Sequence, residues 1–168
     1  MPASEGGFVS ADGKQTIAWL DQDRLLAATA AGPATTSGYA CEVRLWQRGT
    51  PFGAAKLLLT AAETDMGTWP SAFGTSEERR AMIDQRKTFW TGKLRHLIAD
   101  GSLVDSPLPD DADFSFIANI VANGAAGIPR AYALLRTDFN GIAKGSMNGL
   151  IRQYLPRGVS MEHLTQAD

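Results

Sequence analysis

Residues 16–60 read TIAWLDQDRLLAATAAGPATTSGYACEVRLWQRGTPFGAAKLLLT, and this stretch decides the fold. It consists of short apolar runs separated by turn-forming residues. The runs 16–20 and 25–30 are joined by the polar corner Asp21-Gln22-Asp23. Two short apolar runs on either side of a tight acidic corner are typical of an antiparallel hairpin.

Residues 39–46 alternate with a period of two, as in a strand with one buried face. The side predicted to be buried carries Tyr39, Cys41, Val43 and Leu45. The opposite side carries Ala40, Glu42, Arg44 and Trp46. Residues 48–51 then supply a Gly and a Pro for a reversal, and 56–60 return as another apolar run. The pattern predicts a four-stranded antiparallel meander, the unit of one β-propeller blade.

Three segments outside these runs also carry recognisable signals. The Asp12-Gly13 turn signal predicts a strand at 8–10, a turn, and a strand over 15–20. Residues 32–38 are rich in Gly, Pro, Ser and Thr, which predicts a loop. Residues 61–75 are interpreted as a connection whose aromatic side chains, Trp69 and Phe73, fold back over the core.

Residues 76–100 are compatible with two structures. Thr75 and Glu78 form a capping-box pair, and the apolar residues that follow fall near helical spacing, which favours a helix. The alternative has strands at 85–90 and 94–98 with a corner at 91–93, followed by a strand over 103–108. Residues 114–121 have the length and apolarity of a strand, although a helix also fits.

The run from 17 to 55 resembles the propeller portion of bacterial prolyl oligopeptidase family serine peptidases. Those proteins carry a Trp-Leu-Asp-x-Asp corner before a Leu-Leu strand, then a Thr-x-Ser-Gly-Tyr turn and a strand ending in Trp-x-Arg-Gly-x-Pro. The matching positions are Trp19, Leu20, Asp21, Asp23, Leu25, Leu26, Thr35, Ser37, Gly38, Tyr39, Trp46, Arg48, Gly49 and Pro51.

The resemblance continues to residue 146. Later matches are Leu108, Pro109, Asp111, Ala112, Leu135, Arg136, Asp138, Phe139, Gly145 and Ser146. It favours strands over a helix in 76–100. It implies an all-β chain in which antiparallel four-stranded meanders form a partial β-propeller of about three blades over 8–146, after a loose lead-in at 1–7.

Residues 147–168 do not follow this pattern and are expected to form an irregular or helical tail. The run from Asn148 to Pro156 resembles the C-terminal region of a DDE-class insertion-sequence transposase, and the match extends in part to 163–166. In that family a catalytic Glu precedes the run, but Gly145 stands at the corresponding position. The tail therefore lacks the carboxylate that such a site needs for metal binding. An interrupted peptidase gene with a mobile-element remnant is our hypothesis for this arrangement.

Composition excludes several classes of protein. The formal net charge of −2 argues against a broad nucleic-acid-binding face, although the C-terminal part has a mild basic bias. That bias comes from Arg130, Arg136, Lys144, Arg152 and Arg157. The single Cys41 excludes an internal disulfide and a cysteine zinc cluster, and is interpreted as a buried strand residue. With no spanning apolar run and no secretion signal, we expect no membrane partner and a cytoplasmic location.

No catalytic, cofactor-binding or metal-binding residue is identified. There is no Gly-x-Ser-x-Gly, and Ser37-Gly38 and Gly145-Ser146 are interpreted as turns. His96 is interpreted as a strand residue rather than a base, and His163 lies in the tail. The acidic run Asp110-Asp111-Ala112-Asp113 lacks the spacing of a calcium loop and is interpreted as a solvated turn.

Three functional hypotheses remain. The resemblance implies a truncated, non-catalytic fragment of a substrate-gating propeller that lacks the hydrolase domain. The first alternative is an interaction module that self-associates, or binds another chain, through open β-edges and exposed apolar faces. The second alternative is a small α-rich regulatory or nucleic-acid-binding protein, which requires 76–100 to be helical.

Overall fold

The structure, a computed structural model, describes residues 6–74, 79–120, 128–145, 149–155 and 158–161. The described part is all-β and forms three four-stranded antiparallel sheets, each built from four strands consecutive in the chain. This confirms the predicted fold class of antiparallel four-stranded meanders. Among the described residues, no helix is both long enough and apolar enough to cross a membrane.

The first sheet has the order β1-β2-β3-β4. Its strands are β1 (Gln15–Trp19), β2 (Arg24–Thr29), β3 (Glu42–Gln47) and β4 (Lys56–Thr60). One row of paired residues crosses the whole sheet through Ile17, Ala27, Arg44 and Leu57. The meander predicted from the alternating pattern and the turn residues is therefore confirmed. The predicted strand at 8–10 is wrong, because these residues form no ladder.

The second sheet has the order β5-β6-β7-β8. Its strands are β5 (Gly67–Phe73), β6 (Arg80–Arg86), β7 (Gly92–Leu97) and β8 (Leu103–Asp105). Strands rather than a helix therefore occupy 80–97, and the reversal lies at 87–91. The proposed capping-box residues Thr75 and Glu78 fall outside the described residues.

The interpretation of 61–75 as a connection is wrong for residues 67–73, because these residues form strand β5. Pro70 lies inside this strand, opposite Ile83, and a Pro in an apolar run normally argues against a strand. β5 is an edge strand that pairs only with β6, so the missing N–H of Pro70 need not break a ladder on both sides.

The third sheet has the order β12-β11-β10-β9. Its strands are β9 (Asp113–Ile120), β10 (Ile128–Leu134), β11 (Gly149–Leu155) and β12 (Gly158–Met161). The expectation of an irregular or helical tail after 146 is therefore wrong for 149–155 and 158–161. These residues extend the sheet of β9 and β10, with Arg152 opposite Arg130 and Ser160 opposite Arg152.

The sheets stack face to face, which is the packing that propeller blades use. One face of the first sheet meets the second sheet in a cluster that includes Leu26, Val43, Ala81 and Ile83, and β5 packs against β1, β2 and β3. The opposite face of the second sheet, with Leu94 and Val104, packs on a cluster that contains Leu108, Ala133 and Leu135. The second sheet is thus covered on both faces.

The other face of the first sheet is partly covered by its own chain. Trp46, predicted to lie on the exposed side, is only 3% exposed, because Phe8 and Phe52 pack against its ring at centroid distances of 4.9 and 5.1 Å. Cys41 and Val43, on the predicted buried side, are buried. Both faces of β3 therefore carry buried apolar side chains, which a simple alternation does not anticipate.

Candidate functional site

The corner between β1 and β2 is closed by hydrogen bonds to Asp21. Its Oδ1 accepts a bond from the backbone N–H of Asp23 at 2.9 Å, and its Oδ2 accepts one from Arg24 Nε at 2.7 Å. Partial burial would raise the pKa of the Asp21 carboxyl, but these hydrogen bonds and the charge of Arg24 outweigh it and lower that pKa. The carboxylate thus stays ionised and engaged within the corner.

Arg48 ties the end of β3 to the same corner. Its Nε lies 3.1 Å from Asp23 Oδ1 and donates to the carbonyl of Gln22 at 2.9 Å. The guanidinium also lies over the ring of Phe8, 5.1 Å from its centroid. Arg48 therefore bridges the acidic corner and the aromatic cluster on the outer face of the first sheet.

A cavity of about 750 Å³ opens beside this corner. It is lined by Trp19, Leu20, Asp21, Gln22, Asp23, Arg24, Gln47 and Arg79. Arg79 comes from the segment before β6, and its Nη1 donates to the carbonyl of Trp19 at 3.4 Å. The cavity therefore lies where the first and second sheets meet, and its lining contains one tryptophan, two aspartates and two arginines. We call it the corner cavity.

A second cavity of about 280 Å³ lies at the opposite end of β1. Its lining includes Lys14, Tyr39 and Trp69. Lys14 Nζ lies 4.4 Å from the centroid of the Tyr39 ring, and the Tyr39 and Trp69 rings are 5.2 Å apart. The Lys14 ammonium group in this cavity is thus already in contact with the face of the Tyr39 ring.

His96 and Cys41 are both buried in the described part of the chain. His96 lies in β7 with only 3% of its surface exposed, and burial lowers its pKa to about 3. Burial, with the nearby carboxylates of Glu63 and Glu42, raises the pKa of the Cys41 thiol. His96 is a buried residue of strand β7, as the sequence predicted. Cys41 is buried, also as predicted, but it lies immediately before β3 rather than in a strand. His163 lies outside the described residues.

The predicted turn at Ser37-Gly38 is present. The backbone N–H of Gly38 donates to the carbonyl of Thr35 at 2.8 Å, and Gly38 has a φ of +74°, which a glycine adopts without strain. Gly145 likewise has a positive φ of +82°, but Ser146 lies outside the described residues. A turn with this geometry at Ser37 is not a nucleophile elbow, which sits between a strand and a helix.

The acidic run at 110–113, after β8, was predicted to be a solvated turn, but two of its carboxylates form ion pairs. Asp113 Oδ2 lies 2.9 Å from Arg136 Nη2, and its Oδ1 lies 3.5 Å from Arg86 Nη2. Asp110 pairs with Lys93 at 3.0 Å. These half-exposed carboxylates link the second sheet to the third. The part of the chain described by the structure contains no group of three His, Cys, Asp or Glu side chains that could hold a metal ion.

Arg79 is the cavity residue that sequence reasoning missed. The sequence predicts the corner from Asp21-Gln22-Asp23 alone, because the residues that form it are adjacent in the chain. Arg79 lies 60 residues from Trp19, and no local pattern links the two. Arg79 belongs to the run Glu77-Glu78-Arg79-Arg80, whose balanced charge is typical of solvated surface, and Arg79 is exposed.

Comparison with solved structures supports the fold. The chain superposes on a post-proline cleaving enzyme from Rickettsia typhi with a TM-score of 0.65 and 16% sequence identity, over 92% of this chain. The matched region is 23% of the length of that enzyme. No family model matches the sequence, and no curated protein matches it. The chain therefore shares the fold of part of a post-proline cleaving enzyme, and no match supports the transposase resemblance of the tail.

Proposed function

We propose that the chain forms part of the substrate-gating β-propeller of a prolyl oligopeptidase-like serine peptidase and contributes no catalytic group itself. The observation that carries this proposal is the run of three consecutive antiparallel meanders that matches the Rickettsia typhi enzyme over 92% of this chain. Sheets arranged around a central channel restrict what reaches a site beyond it.

The packing between the sheets supports a radial arrangement. The first strand of the second sheet, β5, packs against β1, β2 and β3 of the first sheet. Each sheet uses one meander and joins the next through a short connection, as consecutive propeller blades do. The ion pair between Asp113 of β9 and Arg86 of β6, at 3.5 Å, joins the second and third sheets. Packing of consecutive sheets in this way supports the proposed place of the chain in a propeller.

The lack of catalysis can be tested directly with the purified chain. We expect no hydrolysis of a fluorogenic peptide with proline before the reporter group, and no labelling by a fluorophosphonate probe. The matched control is an active post-proline cleaving enzyme under the same conditions. Cleavage that the fluorophosphonate abolishes would overturn the non-catalytic part of the proposal.

The gating role requires a chimera. Residues 8–161 would replace the matched segment of the Rickettsia typhi enzyme, and the control would delete that segment. We expect the chimera to cleave short proline-containing peptides and to spare a folded protein that carries the same cleavage sequence in a surface loop. A chimera that is active on peptides and cleaves the folded protein as fast as the deletion control would contradict gating.

A second candidate function is self-association. Four of the exposed large apolar side chains lie on or beside the outer face of the first sheet: Val9, Ile17, Trp19 and Leu57. Glu42 and Arg44 form an ion pair with a contact of 2.7 Å on that face, so these two residues add no net charge to it. Light scattering that gives a dimer, and a monomer for Ile17→Glu, would favour this function over gating.

A further inference from the structure

The guanidinium of Arg86 lies between two carboxylates that belong to different sheets. Its Nε lies 2.8 Å from Asp84 Oδ2, within β6, and its Nη2 lies 3.5 Å from Asp113 Oδ1, at the start of β9. The Arg86 side chain is only 14% exposed, so salt and water screen these contacts less than they screen contacts on an open surface. The contact within the second sheet is the shorter one, and the contact between the sheets is the longer one.

Asp113 joins the third sheet to the second through charged groups on both of its oxygens. While Oδ1 faces Arg86, Oδ2 lies 2.9 Å from Arg136 Nη2. The Arg136 guanidinium lies over the ring of Trp90, 4.7 Å from its centroid, and Trp90 belongs to the reversal between β6 and β7. Arg86 directly, and Trp90 through Arg136, therefore connect Asp113 to the second sheet. A change in the contact between Arg86 and Asp113 acts on this joint.

The surroundings of Asp84 are largely apolar. Across the ladder it lies opposite Trp69 of β5 and Leu94 of β7. The space beside Asp84 and Arg86 is lined by residues of β7 and of the connection before β9: Gly92, Leu94, Leu108, Pro109 and Ala112. Burial raises the pKa of Asp84, and the charge of Asp113 adds to this, although Arg86 acts in the opposite direction. Asp84 thus loses its charge at a higher pH than an ordinary aspartate does.

The neighbouring titratable groups have partners of their own or carry no charge. Lys93 pairs with Asp110 at 3.0 Å. His96, further along β7, stays neutral because burial lowers its pKa to about 3. Among the described residues, no carboxylate other than those of Asp84 and Asp113 makes an ion pair with Arg86. One guanidinium is therefore shared by two carboxylates, one on each sheet.

We propose that the charge on Asp84 decides how firmly Arg86 holds Asp113, and with it how firmly the second and third sheets are joined. While Asp84 is ionised, it keeps the guanidinium within the second sheet. When Asp84 takes up a proton, Arg86 loses one of its two attractions. The guanidinium then moves towards Asp113, and the long contact becomes a charge-assisted hydrogen bond. Acidification therefore tightens the joint. This device uses contacts within the chain and does not depend on the proposed function.

The test is a double-mutant cycle that measures how strongly Arg86 and Asp113 are coupled. Urea denaturation gives the unfolding equilibrium constants of the unaltered chain, Arg86→Gln, Asp113→Asn and the double variant, whose ratio is the coupling factor. The same cycle is then measured in Asp84→Asn, which places a neutral group of the same shape beside Arg86. We expect the coupling factor to be at least about threefold larger there, because Arg86 then has a single carboxylate partner. An unchanged or smaller factor would overturn the proposal.

Asp100→Asn is the matched control, since it removes the same charge from the same sheet. Asp100 follows the end of β7, whereas Arg86 lies opposite Gly92 at the start of that strand. The Asp100 carboxylate accepts a local bond from the backbone N–H of Ser102, at 2.8 Å. The coupling factor should therefore stay unchanged in Asp100→Asn. Equal rises in the two backgrounds would reveal a general effect of net charge and would contradict the sharing of Arg86.

The proton step is tested by measuring the cycles at pH 7 and at pH 5, where an ordinary aspartate is still ionised. Because the folded chain binds the proton of Asp84 more tightly than the unfolded chain, the tightening is gained as the pH falls through the raised pKa of Asp84. The coupling factor should rise at pH 5 in the unaltered chain and stay constant in Asp84→Asn. The same pH dependence in both chains would overturn this step.

A circular dichroism melt reports whether each variant is folded. If Arg86→Gln is unfolded, Arg86→Lys takes its place in every cycle. Lysine keeps the charge but lacks the fork of donors with which arginine reaches two carboxylates at once. The same order of coupling factors is expected, with the larger factor in Asp84→Asn, and the reverse order would overturn the proposal.

Discussion

Gln85 and Asp65 form a hydrogen bond across the interior, from Gln85 Nε2 to Asp65 Oδ2 at 2.6 Å. Each side chain is only 8% exposed. Asp65 lies in the connection between β4 and β5, and Gln85 lies in β6, so the bond ties the link between two sheets to the second sheet. Gln85 Oε1 also accepts a bond from Arg95 Nη1 at 2.6 Å. One amide therefore satisfies a carboxylate and a guanidinium together.

Replacing Gln85 with Leu should lower the free energy of unfolding by about 1–3 kcal/mol, because two charged groups each lose a hydrogen bond in a poorly solvated place. Urea denaturation followed by circular dichroism measures this. The matched control is Gln15→Leu at an exposed position, for which a change within about 0.5 kcal/mol is expected. Equal effects of the two substitutions would show that the buried bond contributes nothing of its own.

The apolar contact between the first two sheets should depend on Ile83. Its side chain is fully buried in the cluster shared by those sheets, so Ile83→Ala should cost about 2–5 kcal/mol of unfolding free energy. Leu57→Ala removes a similar apolar volume from a side chain that is 45% exposed and should cost less than half as much. Chemical denaturation of both variants checks the prediction, and a larger loss for Leu57→Ala would contradict the observed packing.

Gly92, the first residue of β7, should not tolerate a side chain. A Cβ there would lie 2.6 Å from the carbonyl oxygen of Gln85 and 3.1 Å from Arg86 Cα, both backbone atoms that cannot simply rotate away. Gly92→Ala should destabilise by about 1–3 kcal/mol. Gly53→Ala is the control, since a Cβ at Gly53 meets nothing within 4 Å, and it should be neutral or slightly stabilising. Thermal melts that do not separate the two would contradict the close approach at Gly92.

His96 should make stability depend on pH. Burial lowers its pKa to about 3 in the folded chain, whereas an unfolded chain has the ordinary value of 6.5. Below pH 6.5 the unfolded state binds the proton more strongly, so the contribution of neutral His96 is present above that pH and is lost as the pH falls towards 3. From pH 7 to pH 5 the loss is about 2 kcal/mol.

The variant His96→Leu isolates this contribution. Its unfolding free energy should fall less between pH 7 and pH 5 than that of the unaltered chain, by about 2 kcal/mol. Asp84, whose pKa is raised by burial, acts in the opposite direction but is present in both proteins and cancels in the comparison. Parallel pH dependences for the two proteins would show that His96 is not held neutral in the folded state.

The sequence predicts those parts of the fold whose physical cause is local. The hairpin of β1 and β2 follows from two apolar runs around Asp21-Gln22-Asp23, and the structure closes that corner with the side chain of Asp21 itself. The return of β4 follows from the Gly and Pro between 48 and 51. In both cases a few neighbouring residues determine the turn, and the period of two determines the strand. Asp21 and Asp23, the acidic residues in the lining of the corner cavity, are identified from the sequence for the same reason.

Tertiary structure decided the rest, because sheets that are covered on both faces do not alternate between apolar and polar residues. β5 was missed since Pro70 is acceptable only on an edge strand, and edge position depends on which strands pair. Trp46 is buried because Phe8 and Phe52 come from elsewhere in the chain to cover it. Arg79 reaches Trp19, and Asp113 reaches Arg86, only because the sheets stack. Asp113 reaches Arg136 because β9 pairs with β10. Residue patterns within one strand do not indicate which strands or sheets pack together. They therefore cannot predict contacts between residues so far apart in the sequence.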